Sequence, residues 1–287
     1  MFENTLNTIK EQKKINISSI FIYIVFAIFT ILTLYPLIWL VYSSFKPILE
    51  IIRDSFALPK DWTFSNYIQA IKIGKLDMYA FNSIIYTFIS TGLVVILSMM
   101  ASFAFAKIKN RATPFIYNTF LIGLLITIQA ILIPLFISMT RIGLRDTRPG
   151  IILIYVAINL PLAIYLGTEF IKKIPDSLIE SAQIDGASYF TVFVKIIMPM
   201  CKPVLAPIII FTTLACWNEF MLALVFTSSD SSRSLPVGIF SFSGPLATEY
   251  GMQFAALVIG MGPMILLYAL FSKQITRGFA AGGAIKG

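Results

Sequence analysis

The sequence offers few side chains that could carry out chemistry. Its 287 residues include no histidine and two cysteines, Cys201 and Cys216. Without histidine, Ser–His and Cys–His catalysis is excluded, and two cysteines are too few for a structural zinc site. The sequence also has no G-x-x-x-x-G-K-[ST] segment, the loop with which ATPases cradle phosphates. Energy for any work must therefore come from another polypeptide or from an ion gradient.

The most informative side chains lie in residues 175–207. Asp176 or Ser177 predicts a helix start, and Gly186 predicts a sharp change of backbone direction. A second helical run is predicted from Ala187 to Met198. Two short helices joined by a glycine elbow suit insertion into a groove of another protein. They equally suit an amphipathic segment that only anchors the chain at the membrane surface.

Four polar side chains interrupt otherwise apolar runs: Gln129, Asn159, Asn218 and Glu219. Hydrogen bonding between helices is the favoured role for Gln129 and Asn159. A carboxylate inside a membrane span is costly, so Glu219 is expected to face a cavity, a partner helix or a water path. It would either line the path of a polar solute or pair with a group on a partner protein.

The composition identifies the elements that must position these residues. Of the residues, 57% are hydrophobic and 13% are charged, against roughly 45–50% and 25% in soluble domains. Because the alternating strands of a membrane barrel are absent, an all-α membrane protein is predicted. Six segments are long enough to span a bilayer: Ile17–Val41, Ile84–Ala106, Phe115–Met139, Ile151–Phe170, Val204–Phe226 and Phe254–Phe271.

Charge distribution predicts the orientation. The net charge is +8, and 13 of the 22 Lys and Arg residues lie on the side that holds both termini. Both termini are therefore expected in the cytoplasm, although the arginines of 140–150 oppose this bias. The basic residues are not interleaved with aromatics, so no nucleic-acid partner is expected.

The predicted organisation is a cytoplasmic segment 1–16, a six-helix domain 17–272 containing a cytoplasmic loop 175–203, and a glycine-rich cytoplasmic tail 273–287. The outer connection 42–83 is long enough to form a small cap.

Residues Glu180-Ser181-Ala182 and Asp185-Gly186-Ala187, followed by Pro199 and Pro203, resemble a family motif. The pattern E-A-A-x-x-x-D-G-A is the signature loop of permease subunits of bacterial ATP-binding-cassette importers, with Ser181 replacing the middle alanine. Other blocks resemble the carbohydrate branch, of the maltose-permease type. They include residues 102–107, 143–147, 217–220 and 277–287, so the resemblance covers about 80–287.

The resemblance implies a type I importer permease fold in the bacterial inner membrane. The expected partners are a second homologous permease, two copies of an ATPase, an extracytoplasmic solute-binding protein, a carbohydrate substrate and the lipid bilayer. ATP and magnesium would bind the ATPase, so this chain would be neither an enzyme nor a cofactor carrier. The expected ATPase-coupling residues are Glu180, Ser181, Ala182, Asp185, Gly186 and Ala187. Gly282 and Gly283 would reach the ATPase dimer interface. In this family the partner permease provides most of the sugar contacts. The resemblance therefore favours pairing of Glu219 with a partner protein over direct contact with the sugar.

Two other classes of membrane protein, a secondary transporter or channel and an intramembrane enzyme, fit the sequence less well. A self-sufficient secondary transporter or channel would need ion-binding charges within its spans, but only Glu219 is clearly intramembrane, and no second acidic or basic residue lies beside it. Six spans without a visible internal repeat also fit that class poorly. An intramembrane enzyme would need a histidine, paired carboxylates or a metal cluster. The sequence therefore favours the importer permease, and it leaves the identity of the sugar open.

Overall fold

A computed structural model describes residues 17–108, 110–243 and 249–283. The described chain is built from helices joined by short connections. In chain order they are α1 (Ile17–Ser43), α2 (Ile48–Arg53), α3 (Ser65–Lys72), α4 (Leu76–Lys107), α5 (Thr113–Gly123), α6 (Ile128–Arg141), α7 (Arg148–Ile171), α8 (Asp176–Ile184), α9 (Tyr189–Val192), a π-helical turn (Phe193–Ile197), α10 (Met198–Met200), α11 (Lys202–Trp217), α12 (Met221–Phe226), α13 (Leu235–Ser241) and α14 (Tyr250–Gly283).

Four helices of the described chain are long and apolar enough to cross a membrane. They are α1, α4, α7 and α14, and up to six spans result if two bent helix pairs each form one. In the first pair, α5 and α6 meet at 105°. In the second, the run from α9 to α10 meets α11 at 80°. This architecture confirms the all-helical membrane fold.

Two predicted spans differ in their course. Phe115–Met139 was predicted as one run, but the chain leaves the helix after Gly123 and resumes it at Ile128. Val204–Phe226 was also predicted as continuous, but its helix ends at Trp217 and a new one begins at Met221. Hydropathy reports how apolar a segment is. It does not show where a helix stops, although Gln129 lies beside the first break and Asn218 and Glu219 lie within the second.

The centre of the bundle is the contact between α4 and α7. A Cβ on Gly167 of α7 would lie 2.5 Å from Ser102 Oγ on α4, so this approach requires glycine. Ser102 Oγ donates a hydrogen bond to the carbonyl of Ile164, 3.0 Å away. Small residues let helix backbones approach closely in lipid, where packing rather than hydrophobicity drives association. The two long helices therefore form the fixed frame of the protein.

The connection between α1 and α4 folds into a cap, as its length predicts. Lys46 is 1% exposed, and its ammonium donates to the carbonyls of Asp54 and Ser55. The Asn66 amide donates to the carbonyls of Ser44 and Lys46, each 2.8 Å away. Buried polar groups are stable only when they are hydrogen-bonded, so these bonds fix the cap as an ordered unit.

At the cap end, Asp146 ties the α6–α7 connection to the segment after α12. Its carboxylate accepts bonds from the backbone N–H groups of Ser228 (2.7 Å) and Ser229 (3.0 Å) and from the hydroxyls of Ser229 and Ser232. Partial burial would raise the pKa of Asp146. These hydrogen bonds outweigh burial and lower the pKa from 3.8 to about 2. We call this cluster the Asp146 knot.

Replacing Asp146 by alanine is expected to cost about 1.5–3 kcal/mol, the usual worth of hydrogen bonds to a charged group. Asp146 has a φ of +58°, which asparagine tolerates, so Asp146→Asn is the matched control, because it removes the charge and keeps one carbonyl acceptor. The loss of stability is measured by thermal unfolding in detergent, with labelling of the buried cysteines by a thiol-reactive dye as the readout. The melting temperature should fall in the order wild type, Asp146→Asn, Asp146→Ala.

The same knot predicts a pH dependence. Because the folded-state pKa is lowered, the carboxylate's contribution is complete above about pH 4 and is lost as the pH falls towards about 2. Wild type should lose stability in that window more steeply than Asp146→Asn. Equal melting temperatures for wild type and Asp146→Ala at neutral pH would contradict the role of the knot.

Candidate coupling and translocation sites

Residues 175–201 form a helical loop at the end of the bundle opposite the cap. Its first helix, α8, ends in a Schellman motif centred on Gly186, whose φ is +84°. The Gly186 N–H donates to the carbonyl of Gln183, and the Ala187 N–H donates to the carbonyl of Ala182. A left-handed residue after a helix is normally glycine, because a Cβ there is strained. The structure therefore contains the elbow that the sequence predicts at Gly186.

The second half of the loop is also helical. Ser188 caps it, with its hydroxyl accepting a bond from the N–H of Thr191, 3.3 Å away. The run continues through the π-helical turn Phe193–Ile197 to Met200. It then turns by 80° into α11. The second helix predicted from Ala187 to Met198 is thus present over Tyr189–Met200, with a π turn that the sequence did not indicate.

One side of the helical loop is anchored in the bundle. Ile179, Val192 and Ile197 are buried in the same apolar cluster as Met99 and Phe103 of α4. Ala182 and Ala187 are half-buried against that cluster. The loop therefore rests on the ends of α4 and α7 and is not a free surface segment.

The other side of the loop is exposed. It carries four of the predicted coupling residues, Glu180, Ser181, Asp185 and Gly186. Two apolar side chains join them, Ile184 at 86% and Phe190 at 69% exposure. The sequence analysis did not single out Ile184 and Phe190. Their positions on either side of the predicted elbow at Gly186 could have identified them as candidate contact residues. Exposed apolar groups beside carboxylates are typical of a surface that another protein covers.

Glu219 lies at the break between α11 and α12. Its two carboxylate oxygens accept bonds from the N–H groups of Leu222 (2.8 Å) and Ala223 (2.9 Å). The Tyr155 hydroxyl of α7 donates a third bond, over 3.2 Å. The carboxylate therefore caps the first turn of α12 and joins this half-helix to α7. These contacts give Glu219 a capping role within the chain, and its two predicted roles, towards a solute path or a partner protein, stay predictions.

A cavity of about 70 Å³ adjoins Glu219. Tyr155, Asn159 and Cys216 contribute to its wall. The Asn159 amide donates to the carbonyl of Tyr155 and lies 3.7 Å from the sulfur of Cys216 on α11. The structure thus brings Asn159 and Glu219 to one site between α7 and α11.

The other predicted polar residues lie apart. Gln129 is exposed near the start of α6. Asn218 is exposed and lines a groove of about 450 Å³ with Trp217 and Met264. Its amide donates to the carbonyl of Leu214 over 3.0 Å. Of the four predicted translocation residues, Asn159 and Glu219 thus line one cavity, and Gln129 and Asn218 do not line it.

The predicted contact of the tail with an ATPase involves residues of which the structure describes the backbone alone. Gly282 and Gly283 belong to the backbone of α14, which ends at Gly283. Residues 1–16 and 284–287 lie outside the described residues.

The fold and the helical loop define a polytopic membrane transport subunit. Residues 95–280 match the family described as the binding-protein-dependent transport system inner membrane component. The chain belongs to this family. It is therefore a multi-pass inner-membrane permease component of a transport system and not an enzyme.

Similar proteins come from several bacteria. A putative ABC transporter permease protein of Caldicellulosiruptor, ORF2, is 35% identical over 88% of this chain and 91% of its own length. The multiple sugar-binding transport system permease protein MsmG of Streptococcus mutans is 34% identical over 96% of this chain and 100% of its own length. A chain of a bacterial ABC transporter that imports alginate has a TM-score of 0.79 at 24% identity, covering 90% of this chain and 96% of that one. That structure shows the same fold.

Replacing Glu219 by alanine is expected to destabilise α12, because it removes the cap and the bond from Tyr155. Loss of a helix cap costs about 1 kcal/mol, which corresponds to roughly a fivefold more populated open state. Cys216 is buried beside this site, so its labelling by a membrane-permeant maleimide in a Cys201→Ala background measures the opening.

Two control variants separate the contributions at this site. Glu219→Gln keeps one carbonyl acceptor and should label at an intermediate rate. Tyr155→Phe removes only the hydroxyl donor and should accelerate labelling less than Glu219→Ala. If Glu219→Ala labels Cys216 at the wild-type rate, the capping role is wrong.

Proposed function

We propose that this chain is one of two permease subunits of an ATP-driven, binding-protein-dependent carbohydrate importer. Its family membership and its similarity to MsmG support the importer class and the sugar substrate. Other relatives at 32% identity are named as diacetylchitobiose and trehalose permeases. The observation that carries the proposal is the helical loop, whose outer side presents carboxylates and bare apolar groups at the end opposite the cap.

The surface chemistry of the loop suits an ATPase cleft. Residues 175–190 contain three acidic residues, Asp176, Glu180 and Asp185, and no lysine or arginine. A cleft with basic groups would pair with Glu180 and Asp185, and an apolar pocket in it would take Ile184 or Phe190. ATP and its magnesium ion would bind that ATPase and not this chain. We therefore assign Glu180, Ser181, Ala182, Asp185, Gly186 and Ala187 to ATPase coupling.

The transport cycle follows from this placement. The loop lies on the cytoplasmic side with both termini, and the cap receives the solute-binding protein on the other side. Closure of the ATPase dimer on ATP moves the loop, and the loop turns the spans so that the cavity opens towards the binding protein. Hydrolysis resets the inward-facing state. The half-helix break at Glu219 and the 105° bend between α5 and α6 are the interrupted spans along which such a cavity would form.

The substrate class is tested with a sugar panel. Membrane vesicles supplied with ATP and the cognate binding protein are offered labelled trehalose, diacetylchitobiose and arabino-oligosaccharides. We expect ATP-dependent uptake of at least one carbohydrate. Accumulation that needs only an ion gradient would contradict the proposal and favour a secondary transporter.

Substituting Gly186 tests the coupling assignment. A Cβ at Gly186 meets no atom within 4 Å, so valine strains only the backbone, at about 1–2 kcal/mol. Gly186→Val should abolish uptake of the panel sugar while the second permease still co-purifies. Gly186→Asn, which tolerates the left-handed conformation, should retain most uptake.

A matched control lies at the cap end. Gly143 has a φ of +72° and equally open surroundings. Gly143→Val imposes the same strain far from the loop and should leave uptake largely intact. Wild-type uptake by Gly186→Val would contradict the coupling role, and equal losses in both valine variants would indicate general destabilisation.

A further inference from the structure

Lys107 joins the frame of the bundle to the start of the helical loop. It is the last residue of α4, and its side chain is 4% exposed. Its ammonium lies 2.6 Å from a carboxylate oxygen of Asp176 and also donates to the carbonyl of Ile174. Ile174 and Asp176 flank Pro175, where the chain leaves α7 and enters α8. One buried cation thus holds both sides of the junction between a span and the loop.

The energetics of this contact argue for a role beyond stability. The buried ammonium loses its solvation, whereas the Asp176 side chain is 52% exposed, so the attraction between them is weakened by water and an apolar side chain at position 107 could be as stable. Lysine is also rarely buried without a partner. Unlike an apolar group, the ammonium makes directional contacts, because each of its N–H groups points at a particular oxygen. The contact therefore sets where α8 begins relative to α4.

A second contact links α4 to the other half of the loop. The Phe103 ring lies 5.5 Å from that of Phe193 and 6.5 Å from that of Tyr189, between ring centres. Phe103 is one helical turn before Lys107. α4 thus contacts the start of α8 through the Lys107–Asp176 pair, which we call the strut, and contacts α9 and the π-helical turn through an aromatic cluster. Any displacement of the loop acts on α4 at both points.

α4 in turn carries the polar contacts of the opposite end. Near its first turns, Asn82 donates to the carbonyls of Ser231 and Arg233, and the Tyr86 hydroxyl donates to that of Ser232. Ser232 belongs to the Asp146 knot. A helix of 32 residues is about 48 Å long, so it reaches from the loop to the knot.

We propose that Lys107 is a positioning residue that transmits movement of the helical loop to α4. This inference rests on the proposed function, because it requires that an ATPase moves the loop. Without the strut, α8 would still seat on the ATPase, but its motion would reach α4 only through the apolar contacts. The result would be ATP hydrolysis with little transport.

The test uses the complete transporter, purified with its partners and reconstituted into proteoliposomes. The readout is the ratio of panel-sugar uptake to ATP hydrolysis, measured on complexes that co-purify intact. Lys107→Met keeps the length of the side chain and removes its charge. We expect the ratio to fall between about 2-fold and 30-fold, the range for residues along a coupling route, while ATP hydrolysis stays near wild type.

Three variants bracket this result. Lys107→Arg keeps the cation and should restore most of the ratio. Lys173→Met removes an exposed lysine at the same end of the bundle and should leave the ratio unchanged. Asp176→Asn removes the charge of a carboxylate that is 52% exposed, so it should assemble even if Lys107→Met does not, with the ratio again reduced.

The outcomes separate this proposal from the one on which it rests. A wild-type ratio in Lys107→Met, or in Asp176→Asn where only that variant assembles, would overturn the strut. Uptake and hydrolysis that fall in equal proportion would also overturn it, because that pattern indicates a structural anchor. If no ATPase co-purifies with the wild-type chain, the proposed function itself fails, whatever Lys107 does.

Discussion

The close packing of α4 against α7 is the constraint on which the other parts of the structure depend. Gly167 has no room for a Cβ opposite Ser102, so the two backbones are held at one separation and one register. Three of the contacts described above involve one of these two helices. The Asp146 knot precedes α7, Tyr155 lies within it, and Lys107 ends α4. In lipid such contacts must come from shape and hydrogen bonds, because the solvent is as apolar as the side chains.

Two interruptions of the helices have a local solution. Backbone groups that a break frees must find other hydrogen-bond partners, because an unpaired buried group is costly. Glu219 provides such partners for α12, and Ser188 and Gly186 do so for the two halves of the helical loop. The breaks are therefore ordered features. They give the bundle places where spans can change direction without exposing unpaired groups.

Sequence reasoning recovered the parts of the fold with a strong local signal. Hydropathy identified the spans, and Gly186 identified the elbow because a left-handed residue nearly requires glycine. The 105° bend and the break before Met221 were missed because hydropathy is averaged over a window and does not show where a helix stops within it. The partners of Glu219 and Lys107 were also beyond local pattern, since Tyr155 and Asp176 are 64 and 69 residues away in sequence. The motif indicated which loop matters, but it did not show that Ile184 and Phe190 stand bare beside it.

The central claim is that the exposed side of the helical loop seats on an ATPase, and photocrosslinking tests it most directly. A benzophenone amino acid placed at Ile184, which is 86% exposed, is irradiated in intact cells and its adducts are identified by mass spectrometry. The matched control is Ile133 of α6, which is 71% exposed within a span. The account predicts that position 184 captures an ATP-binding subunit and that position 133 does not. Capture of lipid alone at position 184, or of the same ATPase at both positions, would contradict it.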